Sequence, residues 1–257
     1  MWDRKLFKEK GKAAFRGSRG PYICVLLMVT VISIVISLLQ GTASSLSAIG
    51  NMASSMDGGA AVDSIVSTTS SISAPSAALI GLITLFFLIP LSVGIARFSL
   101  LASRSHGTEF KNVWFGFKSG NYFNIVLVML LKLVYTMLWT FLFIIPGLIK
   151  SYSYALVEFI LAENPDMKHS DAITLSRKMM DGYKWKMFVM ELSFLGWLIL
   201  GALTLGILDI LWVMPYMQAS YAEAYKFLKE KAIDSGLVSR ETLPDAGTMV
   251  DAVAEPV

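Results

Sequence analysis

The chain has 257 residues, of which 55% are hydrophobic and 16% charged, with a formal net charge of +3, and its mean hydropathy is +0.61. A typical soluble domain carries about 25% charged residues, and a water-soluble fold could not hide this much apolar surface, so the composition argues against an ordinary globular enzyme or binding module. The basic residues flank apolar segments and form no single face, which argues against a nucleic-acid partner and makes them markers of membrane orientation.

Residues 1–21 are a basic segment with seven cations: Arg4, Lys5, Lys8, Lys10, Lys12, Arg16 and Arg19. The apolar run that follows, residues 22–39, exceeds the secretory h-region of about 7–15 residues and reads as a retained first span. Cys24 lies inside it, so no intrachain disulfide can form, and it reads as a small core residue. The Ser-rich stretch 41–76 has no Lys or Arg and two acids, Asp57 and Asp63, which predicts an outer loop.

A second span over residues 77–96 ends at Arg97 and returns the chain to the cytoplasmic side, where Arg104, Lys111 and Lys118 follow. Phe110, Val113, Trp114 and Phe117 are spaced i, i+3, i+4 and i+7, a stripe suited to a helix lying on the membrane surface. Residues 123–145 cross outward, Pro146-Gly147 makes the turn, and residues 148–162 cross back as a short helix of about 22 Å.

Residues 163–186 carry Lys168, Arg177, Lys178, Lys184 and Lys186 and are cytoplasmic. Within them Ala172, Leu175 and Met179 share a helical face, with Ser170 placed to cap and Gly182 to terminate. Residues 187–203 go out, 204–206 turn, and 207–222 come back to Lys226, Lys229 and Lys231. The membrane domain thus spans residues 22–228, and residues 229–257 read as a disordered cytosolic tail.

The fold class expected is therefore all-α and integral to the membrane, a six-span helical bundle with both termini cytoplasmic. Stacking the hairpins suggests three repeats of amphipathic helix plus transmembrane hairpin. Each odd span follows a short segment closing on Gly17, Gly120 or Gly182, and each even span contains or begins at Pro90, Pro146 or Pro215.

The run Pro146-Gly147-Leu148-Ile149-Lys150-Ser151-Tyr152-Ser153-Tyr154 resembles a family of uncharacterised bacterial multi-pass membrane proteins, catalogued as domain of unknown function number nine hundred and seventy-five. Further likeness lies in residues 160–165, ending in Asn164-Pro165, in 175–180 around Ser176, in Gly182 and Trp185, in 192–197 ending at Trp197, and in Pro215-Tyr216 with Tyr221. The resemblance runs strongly from about residue 105 to 228; Glu158 and the long Ser-rich stretch depart from the family's pattern. It implies a bacterial plasma membrane and a helical bundle, but no reaction and no cofactor. A more distant likeness, to the membrane-anchor region of some glycerophosphodiester phosphodiesterases, concerns a non-catalytic part and lends no catalytic residues.

Phosphate-binding loops, His-Glu-x-x-His, Gly-x-Ser-x-Gly and paired cysteines are missing from the sequence, and His106 and His169 lack metal-ligand spacing. The sharper signal is ionisable groups inside apolar spans, where a charge costs about 2.5–3.5 kcal/mol or more. Lys132 falls about 15 Å into its span, and Glu158 and Glu191 about 7 Å into theirs. A snorkelling lysine could reach either acid, and Glu191 is the favoured partner because it adjoins a family-like stretch. Asp209 and Lys150 sit near outer span ends as anchors, and Tyr152, Tyr154, Tyr216, Tyr221 and Tyr225 read as packing or headgroup-depth residues. The expected role is a non-enzymatic interaction or envelope role against an anionic inner leaflet. The alternatives are a small-solute or lipid transporter, then a lipid-modifying enzyme.

Overall fold

A computed structural model describes residues 2–55, 60–104, 108–118 and 120–246. Among these the secondary structure is helical with no strand: α1 (Arg4–Gly17), α2 (Arg19–Ser55), α3 (Ala60–Ala102), α4 (Phe115–Lys118), α5 (Tyr122–Leu142), α6 (Ile144–Ser153), α7 (Val157–Glu163), α8 (His169–Met179), α9 (Lys184–Leu192), α10 (Leu195–Leu203) and α11 (Met214–Asp234). A 3₁₀ turn, Phe110–Trp114, precedes α4, and a π-helical turn, Asp209–Val213, precedes α11.

Four helical stretches are long and apolar enough to cross a membrane: Thr84–Ala102, Tyr122–Leu142, Ile144–Glu163 and Lys184–Leu203. A fifth arises if α1 and residues 19–35, bent by 90°, count as one broken span. The expected sixth crossing, residues 207–222, is divided between the π-helical turn and α11, which beyond residue 222 carries Glu223, Lys226, Lys229, Glu230 and Lys231.

The chain packs as two units, Met1–Leu26 with Ile89–Val257, and Leu27–Leu88. In the second unit, the parts of the Ser-rich stretch 41–76 that are described, 41–55 and 60–76, are helical and continue α2 and α3, so helix stands there where a loop is expected. Hydroxyls inside the apolar α2 bond back one turn, Ser33 to the Val29 carbonyl and Ser37 to that of Ser33, each at 2.8 Å. That internal satisfaction is what an apolar solvent demands.

The first unit is built around α5, α7, α8, α9 and α11. Its fully enclosed side chains include Ile125, Val128, Leu156, Ile160, Leu161, Met180, Met190 and Phe194. Asp3 caps α1 by accepting from the Lys5 and Leu6 amides. One face of α1, with Phe7, Gly11, Ala14 and Phe15, then packs on α11. Gly11 permits the approach, since a Cβ there would meet the Ser220 backbone nitrogen at 2.7 Å.

Four sequence expectations change at this level. The Phe110–Phe117 stripe is a 3₁₀ turn running into a four-residue helix. Val113 is fully buried and its carbonyl lies where a Cβ on Gly94 would stand, so this segment packs on α3 through Val113. The N-cap of α8 is Lys168, and Ser170 instead donates to Asp171. Cys24 is exposed on α2. Residues 229–246 are folded: α11 runs to Asp234, and Leu243 and Ala246 are fully buried. The rest of the expected tail, residues 247–257, lies outside the described residues, as do His106, Asp57 and Ser119.

Candidate functional site

Two groups of ionisable side chains sit inside the first unit. Within the apolar helices, Lys132 of α5 forms an ion pair with Glu158 in the first turn of α7, Nζ to Oε1 2.9 Å, with side chains 20% and 30% exposed. This corrects the expected partner, Glu191. Glu191, on α9, accepts hydrogen bonds from the phenols of Tyr152 and Tyr221, the latter at 2.8 Å. Depth along the helices is similar for the two acids; what differs is azimuth. α7 packs on α5, whereas α9 faces α6, which carries Tyr152. Nearby, Lys8 donates to the Ser193 hydroxyl at 3.2 Å and lies 4.2 Å from the Phe194 ring centroid.

The second group, at the polar ends of α3, α7 and α11, was not singled out from sequence. Glu163, fully buried, accepts from Lys229 Nζ at 2.7 Å, Tyr225 at 2.8 Å and Arg104 at 3.0 Å. Asp245, beyond α11, accepts from Arg104 at 2.8 Å and Lys229 at 3.0 Å. Arg97 is buried against the Phe115 ring, 3.9 Å from its centroid, and donates to the carbonyls of Ala162 (2.6 Å) and Ala246 (2.9 Å). Three cations thereby grip the short segment 244–246. Burial, then the Glu163 charge, pushes the Tyr225 phenol well above its usual range and keeps it a donor. Burial opposes ionisation of Asp245, but the hydrogen bond from Lys229 and the charges of Arg104, Lys229 and Arg240 outweigh it and hold that carboxyl below its usual range.

In the sequence these residues stand only as an end of a span or part of a tail. Arg97 closes an apolar run, Glu163 opens a loop, and the tail lacks periodicity. A signal was present in the i, i+4 spacing of Tyr225 and Lys229, which puts both on one face of α11.

The family-like residues carry structural work. A Cβ on Gly147 would stand 2.6 Å from the Thr140 Cα, so α5 and α6 close tightly there. Lys150 sits 4.5 Å from the Trp139 ring centroid. Asn164 accepts from the Asp166 amide and donates to the Thr242 carbonyl, and the Pro165 carbonyl accepts from Asn124. Ser176, buried, donates to the Ser153 carbonyl; Gly182 has φ +72° just past α8; Pro215 starts α11; Tyr216 meets Phe194 edge-on at 5.1 Å. Tyr154 is buried in the core, and Trp197 is exposed on α10. Asp209 presses on Gly201, with Oδ1 buried and without a hydrogen-bond partner among the described residues.

A cleft of about 210 Å³ lies at Arg240, Leu243, Pro244 and Asp245, and two more open beside the second group. One, of about 310 Å³, lies between α1, the end of α3 and α11. The other, of about 630 Å³, lies between α8 and residues 236–242. Neither is lined by Lys132, Glu158 or Glu191. Among the described residues no cluster of His, Cys, Asp and Glu could hold a metal ion.

No curated protein and no solved structure matches the chain. Residues 142–232, which include Glu158, Glu163, Glu191, Tyr225 and Lys229 and stop short of Asp245, match the model of the family described as protein of unknown function (DUF975), and this is the family that the motifs around Pro146, Asn164 and Pro215 resemble.

Proposed function

We propose that this is a bacterial plasma-membrane protein of six spans with both termini in the cytoplasm, built from three repeats, which serves without catalysis as an interaction or envelope scaffold. Support for the span count comes from the four apolar crossings, the bent pair α1–α2, and a final return through the π-helical turn and α11. Support for the repeat comes from Gly120 and Gly182, both at positive φ and each just before an apolar helix. The cationic N-terminal segment faces an anionic inner leaflet on this reading.

The observation that carries the scaffold role is the direct Lys132–Glu158 pair. Two opposite charges that satisfy each other cross-link α5 to α7, whereas a transport path keeps such groups toward a water-filled cavity. The test is complementation of the envelope phenotype of a deletion strain. A scaffold tolerates Lys132→Met with Glu158→Leu together, since an apolar pair can replace a buried ionic one. A folded double variant that fails to complement overturns the scaffold reading.

A second reading, transport of a small solute or lipid, draws on Asp209, whose buried Oδ1 in a π-helical turn has no hydrogen-bond partner among the described residues. Such turns are enriched at functional sites.

A further inference from the structure

The cleft between α1, the end of α3 and α11 has a composition that points to a ligand. Its rim carries Lys10 of α1, Arg104 just past α3, and Lys226 of α11, and its walls are the small residues Ala13, Ala14 and Ala102. The acid at the cleft, Glu223, is already paired with Lys226 at 2.6 Å, and Lys226 also donates to the Ser103 carbonyl. Lys10 is exposed and makes no ion pair among the described residues. Counting the adjoining buried group, five cations (Lys10, Arg97, Arg104, Lys226, Lys229) face three carboxylates (Glu163, Glu223, Asp245), which leaves an excess of two positive charges.

Position narrows the ligand class. The apolar stretch Thr84–Ala102 ends at the cleft, and amphipathic α1 turns by 90° at residue 18 into apolar α2. The cleft therefore sits at the depth where an apolar crossing meets headgroups, and a basic pocket between helices at that depth suits a lipid phosphate. Arg104 and Lys10 supply a fork and a mobile point charge, the two donor types that grip a phosphate oxyanion.

We infer that the cleft between α1, the end of α3 and α11 binds the phosphate of an anionic phospholipid headgroup, with Lys10 and Arg104 as its donors. The site rests on the membrane placement proposed above and is indifferent to the scaffold role, because lipid retention and Lys132–Glu158 complementation fail separately.

The test uses the full chain in three variants. Lys10→Glu reverses a rim charge, Ala13→Trp fills the cleft at an exposed position without changing charge, and Lys5→Glu makes the same charge change on α1 outside the cleft. Unaltered melting in phosphatidylcholine nanodiscs establishes that each is folded. Native mass spectrometry then counts retained phosphatidylglycerol after a detergent wash. The expected result is one tightly held phosphatidylglycerol on the wild type and on Lys5→Glu, and a loss of about tenfold in occupancy for Lys10→Glu and Ala13→Trp. Equal losses in Lys5→Glu and Lys10→Glu, or full retention by folded Ala13→Trp, overturn the site. The same phosphate chemistry could come from a soluble source, so a second arm adds inorganic phosphate. Stabilisation by phosphate alone, abolished by Lys10→Glu, would overturn the lipid assignment.

Discussion

Lys229 and Glu163 meet at 2.7 Å with side chains 2% and 0% exposed, so the ammonium of α11 and the carboxylate ending α7 neutralise each other out of reach of solvent. Arg104 and the Tyr225 phenol complete the carboxylate's hydrogen bonds. A buried pair of this kind adds little net stability over an apolar one, but breaking it strands a charge, at about 3–5 kcal/mol.

Glu163→Gln and Lys229→Met should therefore each lower the melting temperature strongly in detergent or nanodiscs, by an amount equivalent to about 3–5 kcal/mol. The Glu163→Gln, Lys229→Met double variant should lose less than the sum. Additive losses in that cycle would mean that the pair is not energetically coupled.

The Lys132–Glu158 pair makes a discriminating prediction. Lys132→Met and Glu158→Gln should couple by roughly 0.5–3 kcal/mol in a thermal-stability cycle, whereas Lys132→Met and Glu191→Gln should be additive. Tyr221→Phe should instead couple to Glu191→Gln, because that phenol donates to the acid at 2.8 Å. Coupling of Lys132 to Glu191 in place of Glu158 would contradict the arrangement of α5, α7 and α9.

Asp245 gives the strap over the buried cations a defined pH dependence. Its carboxyl titrates below the ordinary value of about 3.9 in the folded state. The stabilisation is then fully present above that ordinary value and is lost as pH falls through the lower, folded one. The part of the protease or hydrogen-exchange protection of residues 237–246 that Asp245 supplies, wild type minus Asp245→Asn, should be flat from pH 7 to about 5 and fall below about 4. Asp245→Asn should be looser at pH 7 and flatter in acid; a variant with the wild-type acid profile would remove Asp245 as the cause.

The sequence made the apolar helices legible because hydropathy is a one-dimensional property, and the helical class, the break at residues 204–206, and the buried face of Ala172, Leu175 and Met179 follow from it, whereas the turn expected at Pro146-Gly147 falls at Phe143 and those two residues lie inside α6. It carried depth, which placed Lys132, Glu158 and Glu191 together, but not azimuth, which chose Glu158. The buried group around Glu163 was illegible for a different reason. Arg97, Glu163 and Lys229 are far apart in sequence and each has the local context of a span end or a solvated connection; only the packing of α3, α7 and α11 with residues 243–246 removes them from water. The Ser-rich stretch misled because serine in a low-hydropathy run signals a loop, while serine is also compatible with a helix.

The turns between α5 and α6 and between α10 and the π-helical turn supply the last prediction. Phe141 is 91% exposed and Leu205 93%, and Phe143, Ile144, Ile145, Leu203 and Ile207 are also exposed. No charged residue stands between Lys132 and Lys150. Tips this apolar are costly in water, where burying a side chain of this size gains about 1.5–3 kcal/mol. On the membrane reading they rest within the hydrocarbon or against its outer boundary. Single cysteines at positions 143 and 205, introduced in a Cys24→Ala background, should therefore resist an impermeant maleimide added to intact cells and react with a lipid-soluble one. A cysteine replacing Gly58, in the cation-free stretch, should label from outside. Ready labelling of 143 or 205 by the impermeant reagent would place those tips in water and rule out hairpins that turn within the bilayer.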